Sequence, residues 1–313
     1  MQNNHTPVEW RPTREITLVA GTPPGGGLDR VARALAKALT EARLLDVPIN
    51  VLNVPGDGAR RAWSHVDQYQ GDPHVLSISS PNLTTDYLVG LASFDHSRYT
   101  PIATLVTEYI AFAVRSDSSL RTGADLLSRL AKDAAQVSVA LSTALGNPNH
   151  VAFAKLVQQA GGDVNAPCIR VFDTALDAVA DVVAGHAGVA AVTAASVLAE
   201  LNAGRLRLLA ISAPVRLPAS FAATPTWKER SADCVIGAWR GVTGPAGLSA
   251  DQVRFWEGIL RKTIVQPIWQ EELKRLSWSP MYRDGVELRG YLENERGEFV
   301  AVLGGLGLLR RRA

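Results

Sequence analysis

Only two cysteines, Cys168 and Cys234, occur in 313 residues, too few for a disulfide framework or a thiolate metal cage. They could bridge in an oxidising compartment, but buried free thiols are the commoner outcome at this count. No Cys-x-x-Cys or His-Glu-x-x-His motif is present, nor a close cluster of His, Cys and acids, so neither a metal nor a cofactor is expected. No apolar run reaches the ~18–20 residues that span a bilayer. The net charge of +2, without a basic stripe, leaves no footprint for nucleic acid. There is no internal period and no low-complexity tract. The stretch from Met1 to Thr13 lacks the basic start, apolar centre and small-residue cleavage site of an export signal. That leaves two expectations: the mature form of an exported chain behind a new methionine, or a protein that stays in the cytoplasm.

What the chain does contain is a 47% hydrophobic, 20% charged composition, long enough for two domains with separate cores. Its most informative stretch is Ile16-Thr-Leu-Val-Ala-Gly-Thr-Pro-Pro-Gly-Gly-Gly-Leu-Asp-Arg-Val-Ala-Arg33. An apolar run of strand length meets two prolines, and three glycines then let the backbone approach a ligand without a Cβ in the way. The following helix adds free N–H groups and the positive end of its dipole, a setting for carboxylate or phosphate. Asp29 falls in the first helical turn with Arg33 four residues on as its ion-pair neighbour. Many strand-to-helix turns carry Gly and Pro without any ligand, and that reading stands beside the first. The P-loop needs a Lys-Ser/Thr pair and the dinucleotide fingerprint needs spaced glycines; Leu28 and Asp29 satisfy neither. An acid there suits a polyphosphate poorly, so a small organic anion held by neutral donors fits better.

Short apolar runs alternate with amphipathic stretches in the βαβ pattern of a mainly parallel sheet. Strands are expected at 16–20, 49–54, 75–79, 101–106 and 109–114, with helices at 28–43 and about 57–69. Strand 75–79 ends in Ser80-Pro-Asn-Leu-Thr84, a small polar edge where ligands of open α/β sheets sit. The opening pattern then repeats: strand 136–141, a polar elbow at Ser142-Thr-Ala-Leu-Gly-Asn-Pro-Asn149, and a helix from His150 to Gln159. Further strands are expected at 169–172, 189–192, 206–212 and 239–242. Further helices are expected from Gly123 and at 175–184, 195–203, 250–264, 267–276 and 286–300. Two α/β domains, each with a donor-rich elbow, suggest a cleft that closes on a ligand.

The chain resembles the periplasmic substrate-binding receptors of tripartite tricarboxylate transporters, the Bug or TctC-like family. The resemblance rests on Pro23 to Arg33, Val51-Leu-Asn-Val-Pro-Gly56, Phe94-Asp95 with Tyr99-Thr-Pro-Ile-Ala103, and Leu145-Gly-Asn with His150. It continues through Asp181-Val-Val-Ala-Gly185, Ala203 to Ala210, and Trp239-Arg-Gly with Gly244-Pro-Ala-Gly247. It implies an α/β type II periplasmic-binding-protein fold, a Venus flytrap of two domains with a hinged ligand cleft and no catalytic machinery. The implied limits are 14–107 plus 236–313 for domain 1 and 108–235 for domain 2, after an extension at 1–13. The implied ligand is a small organic carboxylate held by backbone amides, hydroxyls and bridging waters, with few Arg or Lys. Transporter subunits would be the partners of a monomeric receptor.

Carried over, the first elbow comprises Thr22, Pro23, Pro24, Gly25, Gly26, Gly27 and Asp29, beside a rim of Ser79, Ser80, Asn82 and Thr84. The second elbow comprises Ser142, Thr143, Gly146, Asn147 and His150, with Phe172, Asp173, Thr174 and Thr193 as the floor of domain 2. The chain departs from the family pattern at Ser142-Thr143, Asn149 and Val171 to Thr174. Thr193 stands where many relatives carry an acid, which weakens the case for an amino-acid ligand. Two alternatives remain: a cytoplasmic carboxylate sensor, and an enzyme using Asp173 or His150 as base. No strained G-x-S-x-G turn supports hydrolysis.

Overall fold

The computed structural model describes residues 10–310; residues 1–9 of the expected extension, and 311–313 of the expected first domain, lie outside them. Three parallel strands open the fold, β1 (Ile16–Ala20), β2 (Ile49–Asn53) and β3 (Val75–Ser79), with β1 in the middle. Each leads into a helix, α1 (Gly27–Glu41), α2 (Arg60–Val66) and α3 (Asn82–Leu88). Leu28, Val31, Leu35, Ala38 and Leu39 bury one face of α1 against the sheet, the i, i+3, i+4, i+7 spacing of an amphipathic helix.

The chain then runs through one 16-residue strand, β4 (Thr100–Arg115), into a second α/β unit. That unit contains α4 (Gly123–Asp133), β5 (Ser138–Ser142), α5 (Pro148–Gln159), β6 (Cys168–Phe172) and α6 (Ala175–Val183). It ends with β7 (Val189–Thr193), α7 (Leu198–Asn202) and β8 (Leu206–Ile211). The return strand β9 (Gly237–Gly244) leads to α8 (Ala250–Thr263), α9 (Pro267–Leu276), β10 (Ser279–Asp284) and α10 (Gly285–Gly305). Strand order is β2-β1-β3-β9-β4-β7-β5-β6, with β8 and β10 also paired to β4. Up to Tyr109, β4 pairs with β9; from Ile110 it pairs with β7, and from Ala111 also with β8.

Two lobes result. The first is built around Leu18, Trp63, Trp256 and Trp269. The second buries Phe112, Phe153 and Trp227 on one sheet face and Val179, Val192 and Phe221 on the other. Burying each such side chain contributes roughly 1.5–3 kcal/mol. Trp10 docks on the first lobe, its ring 5.2 Å from Phe255 and 5.6 Å from His74. A smaller cluster of Leu88, Val151, Phe299 and Leu303 ties α10 to α3 of one lobe and α5 of the other.

Four differences from the sequence expectations have physical causes. The strands expected at 101–106 and 109–114 are one, because the polar Thr107-Glu108 between them is buried and paired rather than a break. Residues 82–88 form a helix rather than an open edge; Leu83, Thr84, Thr85 and Asp86 are all buried, so no polar face marks it. The stretch 57–69 is broken by left-handed backbone at Gly58 and Ala59. Finally, the gap between the helices expected at 267–276 and 286–300 holds a strand, β10, whose Pro280 is tolerated because the strand lies at an edge and, among the described residues, pairs with β4 alone. Both cysteines are free: Cys168 is exposed on β6, and burial pushes the Cys234 thiol up to about 12.

Candidate functional site

A cleft of about 360 Å³ opens where the strand-to-helix turns of the two lobes face each other, within the roughly 300–1,000 Å³ of small-molecule sites. On the first lobe the β1–α1 elbow supplies Thr22, Pro23, Gly26 and Gly27. The N-cap residue of α1, Gly26, has no side chain to cap with; the Asp29 N–H is taken by Thr22, which leaves the Gly27 and Leu28 N–H groups of the first turn for a ligand. The elbow is braced from behind. Thr22 Oγ1 accepts the Asp29 N–H at 3.1 Å, and Asp29 accepts from the Gly25 N–H at 2.8 Å, Asn53 Nδ2 at 2.8 Å and Arg33 Nε at 2.9 Å. Burial alone would raise the Asp29 pKa, but hydrogen bonds from Arg33, Asn53 and Gly25 outweigh it and hold the carboxyl below its ordinary value. Gly25 needs its glycine: φ is +83°.

The second elbow is organised by Asn147, the N-cap of α5. Its Oδ1 accepts the His150 N–H at 3.1 Å, while Nδ2 donates to Ser142 O at 2.6 Å and Thr143 Oγ1 at 2.7 Å. Thr143 sits at φ +71° in the left-handed region, a strained setting for a β-branched residue. Asn149 Nδ2 donates to Ser142 Oγ at 3.0 Å. A third helix start, α6, is capped by Thr174, whose Oγ1 accepts the Asp177 N–H at 3.1 Å. Thr193 Oγ1 lies 3.1 Å from Ser196 Oγ. The lobes touch across the cleft where Asn82 Nδ2 donates to Thr143 Oγ1 at 2.8 Å and Arg30 Nη2 to Ser196 Oγ at 3.4 Å.

Of the residues expected from the sequence, Thr22, Pro23, Gly26, Gly27, Ser80, Asn82, Ser142, Thr143, Asn147, Asp173, Thr174 and Thr193 line this cleft. Pro24, Gly25, Asp29, Ser79, Thr84, Gly146, His150 and Phe172 do not. Gly25 and Asp29 face a separate surface hollow with Arg33 and Lys37. Thr84 is 3.0 Å from His96 Nδ1, and Phe172 contributes its carbonyl to the Thr143 N–H at 2.7 Å. His150 is buried behind the elbow, its Nδ1 accepting the Gly146 N–H at 2.9 Å. Burial lowers its pKa to about 4, so the ring is neutral at pH 7.

The sequence reading missed the cleft's charged floor. Arg30 and Arg240 both line the cavity, although few basic groups were expected there. Between them lies Glu108, almost fully buried, which accepts from Arg240 Nη2 at 2.8 Å and Trp278 Nε1 at 2.6 Å, with Arg30 Nη2 at 3.9 Å. Burial pushes the Glu108 pKa up, but the two arginines outweigh it and keep the carboxylate charged. The available signal was Arg30 one turn into the anion-facing helix; Glu108 and Arg240 come together only through the pairing of β4 with β9.

This architecture, two α/β lobes with a cleft lined by strand-to-helix turns from both, is that of the periplasmic solute-binding receptors. Rpa4515 of R. palustris, solved with adipate, shares the fold at TM-score 0.85 and 21% identity, over 95% of this chain and 98% of that one. MatC of Rhodopseudomonas palustris, solved with bound malate, matches at TM-score 0.81 and 21% identity, over 93% and 99%. A "UPF0065 protein in tcbD-tcbE intergenic region" of Pseudomonas sp. (strain P51) is 27% identical over 270 residues, 85% of this chain and 78% of its own. The chain belongs to the tripartite tricarboxylate transporter receptor family, whose model matches residues 31–308.

Proposed function

We propose that the protein captures a small organic carboxylate by closing its two lobes, and that it delivers the ligand to a tripartite tricarboxylate-type membrane transporter. The observation that carries this reading is the pair of facing elbows, each with helix N–H groups or hydroxyls turned to a shared cavity. The adipate and malate bound by proteins of the same fold support it. The ligand-contacting groups are drawn from Thr22, Gly26, Gly27, Ser80, Asn82, Ser142, Thr143, Asn147, Thr174 and Thr193. The lobes correspond to 14–107 plus 236–313 and to 108–235. The receptor acts as a monomer in the periplasm and leaves its ligand chemically unchanged. The buried, neutral His150 behind the elbow supports that last point, since it does not line the cavity.

Ligand-dependent thermal shift over a panel of mono-, di- and tricarboxylates tests the reading. Binding to the folded state alone raises stability by about 2.7 kcal/mol at a hundredfold excess over Kd. One or a few acids are expected to raise Tm strongly and to be recovered intact after long incubation. A panel without any shift sinks the receptor reading, and recovery of a converted acid sinks the non-enzymatic part of it.

A further inference from the structure

The charged floor of the cleft is unbalanced. Two guanidinium groups share one buried carboxylate: Arg240 is 9% exposed and Glu108 2%, and the Arg30 side chain is 15% exposed. Among the described residues, the Nε of Arg30 and the Nε of Arg240 are each buried without a hydrogen-bond partner. A buried donor left unpaired costs about 1–3 kcal/mol, more when it is charged. Nearby acids do not supply the missing charge. Asp29 is held by Arg33, Asn53 and Gly25, and Asp173 and Asp177, which line the cavity from the second lobe, pair with neither guanidinium: Asp177 accepts from Thr174 instead. Arg30 is held in place by its bond to Gly25 O at 2.8 Å and its reach to Ser196. Arg240 lies against the elbow, its Nη2 only 3.4 Å from where a Cβ on Gly27 would stand.

Resting on the receptor reading above, we propose that Arg30 and Arg240 form a direct oxyanion subsite, so that this receptor selects dianions. One carboxylate of a short diacid pairs with the two guanidiniums beside the α1 N-terminus. The other reaches the Ser142–Asn149 elbow at the start of α5. Glu108 is a positioning residue: it orients both arginines and cancels one of their charges, leaving one net positive charge within this three-residue group, on the first-lobe side of the cleft, for a ligand oxyanion to neutralise. Direct pairing with guanidinium is stronger and more geometrically selective than neutral donors alone.

The test compares straight-chain diacids of four to eight carbons with their mono-methyl esters by isothermal titration calorimetry. In the unaltered protein the best diacid is expected to bind about tenfold or more tighter than its half-ester, the size of one charged hydrogen-bonded contact. Arg240→Gln should shrink that ratio to within about threefold. Glu108→Gln, which releases both guanidiniums, should enlarge it. Opposite signs separate a charge effect from mere loss of packing, and circular dichroism selects variants that fold. If Arg240→Gln misfolds, Arg30→Gln carries the same expectation. Equal binding of diacid and half-ester, or a ratio unmoved by both arginine variants, overturns the subsite while leaving a carboxylate receptor standing. Failure of every acid and half-ester to bind overturns both.

Discussion

Asn82 Nδ2 donates to Thr143 Oγ1 at 2.8 Å, joining α3 of the first lobe to the β5–α5 turn of the second. Gly58 approaches the same threonine, since a Cβ there would stand 3.4 Å from Thr143 Cβ. The two lobes therefore meet at a point where one side chain also helps to cap α5 through Asn147.

A double-mutant cycle of Asn82→Ala and Thr143→Val reads this latch. The coupling in ligand affinity should be about 0.5–1.5 kcal/mol, the net worth of a neutral hydrogen bond, or roughly 2–10-fold in Kd. Strict additivity in calorimetric Kd values would show that the bond does not contribute to closure.

Gly146→Ala should hurt both stability and binding. The glycine has φ +85°, and a Cβ on it would lie 2.6 Å from Val89 Cγ1 of the opposite lobe and 3.3 Å from Leu303 Cδ2. Overpacking and left-handed backbone together predict a loss of about 1–3 kcal/mol. Denaturant unfolding and ligand titration of the same variant check it, and an unchanged Kd would place the crowding outside the closing motion.

Asp29→Ala removes the acceptor for the Gly25 N–H, Asn53 and Arg33 at once. Arg33 is half-exposed and can turn to water, so the cost falls on the two neutral donors, about 2–4 kcal/mol in all. Because those bonds hold the elbow in shape, affinity should fall although Asp29 does not line the cleft. Calorimetry at a temperature where the variant is fully folded decides it.

Stability should fall as pH rises from about 4.5 to 7. Burial lifts the Glu295 pKa to about 7, against hydrogen bonds from Trp239 and Tyr291, and burial lifts Asp86 to about 6. At these two groups the folded state binds more protons than the unfolded one over that range, so their titration favours unfolding as pH rises. His150, with its pKa lowered to about 4, has the opposite sign: its contribution is lost as pH falls from 6.5 toward 4. Glu295→Gln should therefore gain on the order of 2–3 kcal/mol over the unaltered protein at pH 8 and almost nothing at pH 4.5. Equal differences at both pH values in urea titrations would refute the assignment.

The alternation of strands and helices, the first elbow and the Asp29–Arg33 pair were legible because each is written in adjacent residues. Ile16–Ala20 and Gly27–Glu41 carry their own periodicity, and the glycines sit where the chain turns. Residues whose role depends on distant partners were not legible. Glu108 read as a gap between two strands until its partners Arg240 and Trp278, 132 and 170 residues away, stood beside it. His150 read from its own position as a residue packed at a helix start, and only the family resemblance set it among the cleft residues; its buried ring, bonded to the Gly146 N–H, agrees with the first reading. Asn149 was read as the end of the polar second elbow and as a departure from the family pattern but not as a ligand-facing residue, yet it lines the cavity and its side chain holds Ser142.

The long strand β4 carries a mechanical consequence. From Thr100 to Tyr109 it is laced to β9, and from Ile110 or Ala111 onward to β7 and β8, so the lobes share a continuous hydrogen-bonded ribbon rather than a slack tether. Separating them means twisting that ribbon, and twisting stores elastic energy in proportion to the angle squared. Its ladder is interrupted by register shifts beside Pro101 and Thr104 and between Phe112 and Ala113, on either side of Glu108. The ribbon that joins the lobes and the buried acid of the cleft's charged floor are thus one and the same stretch of chain.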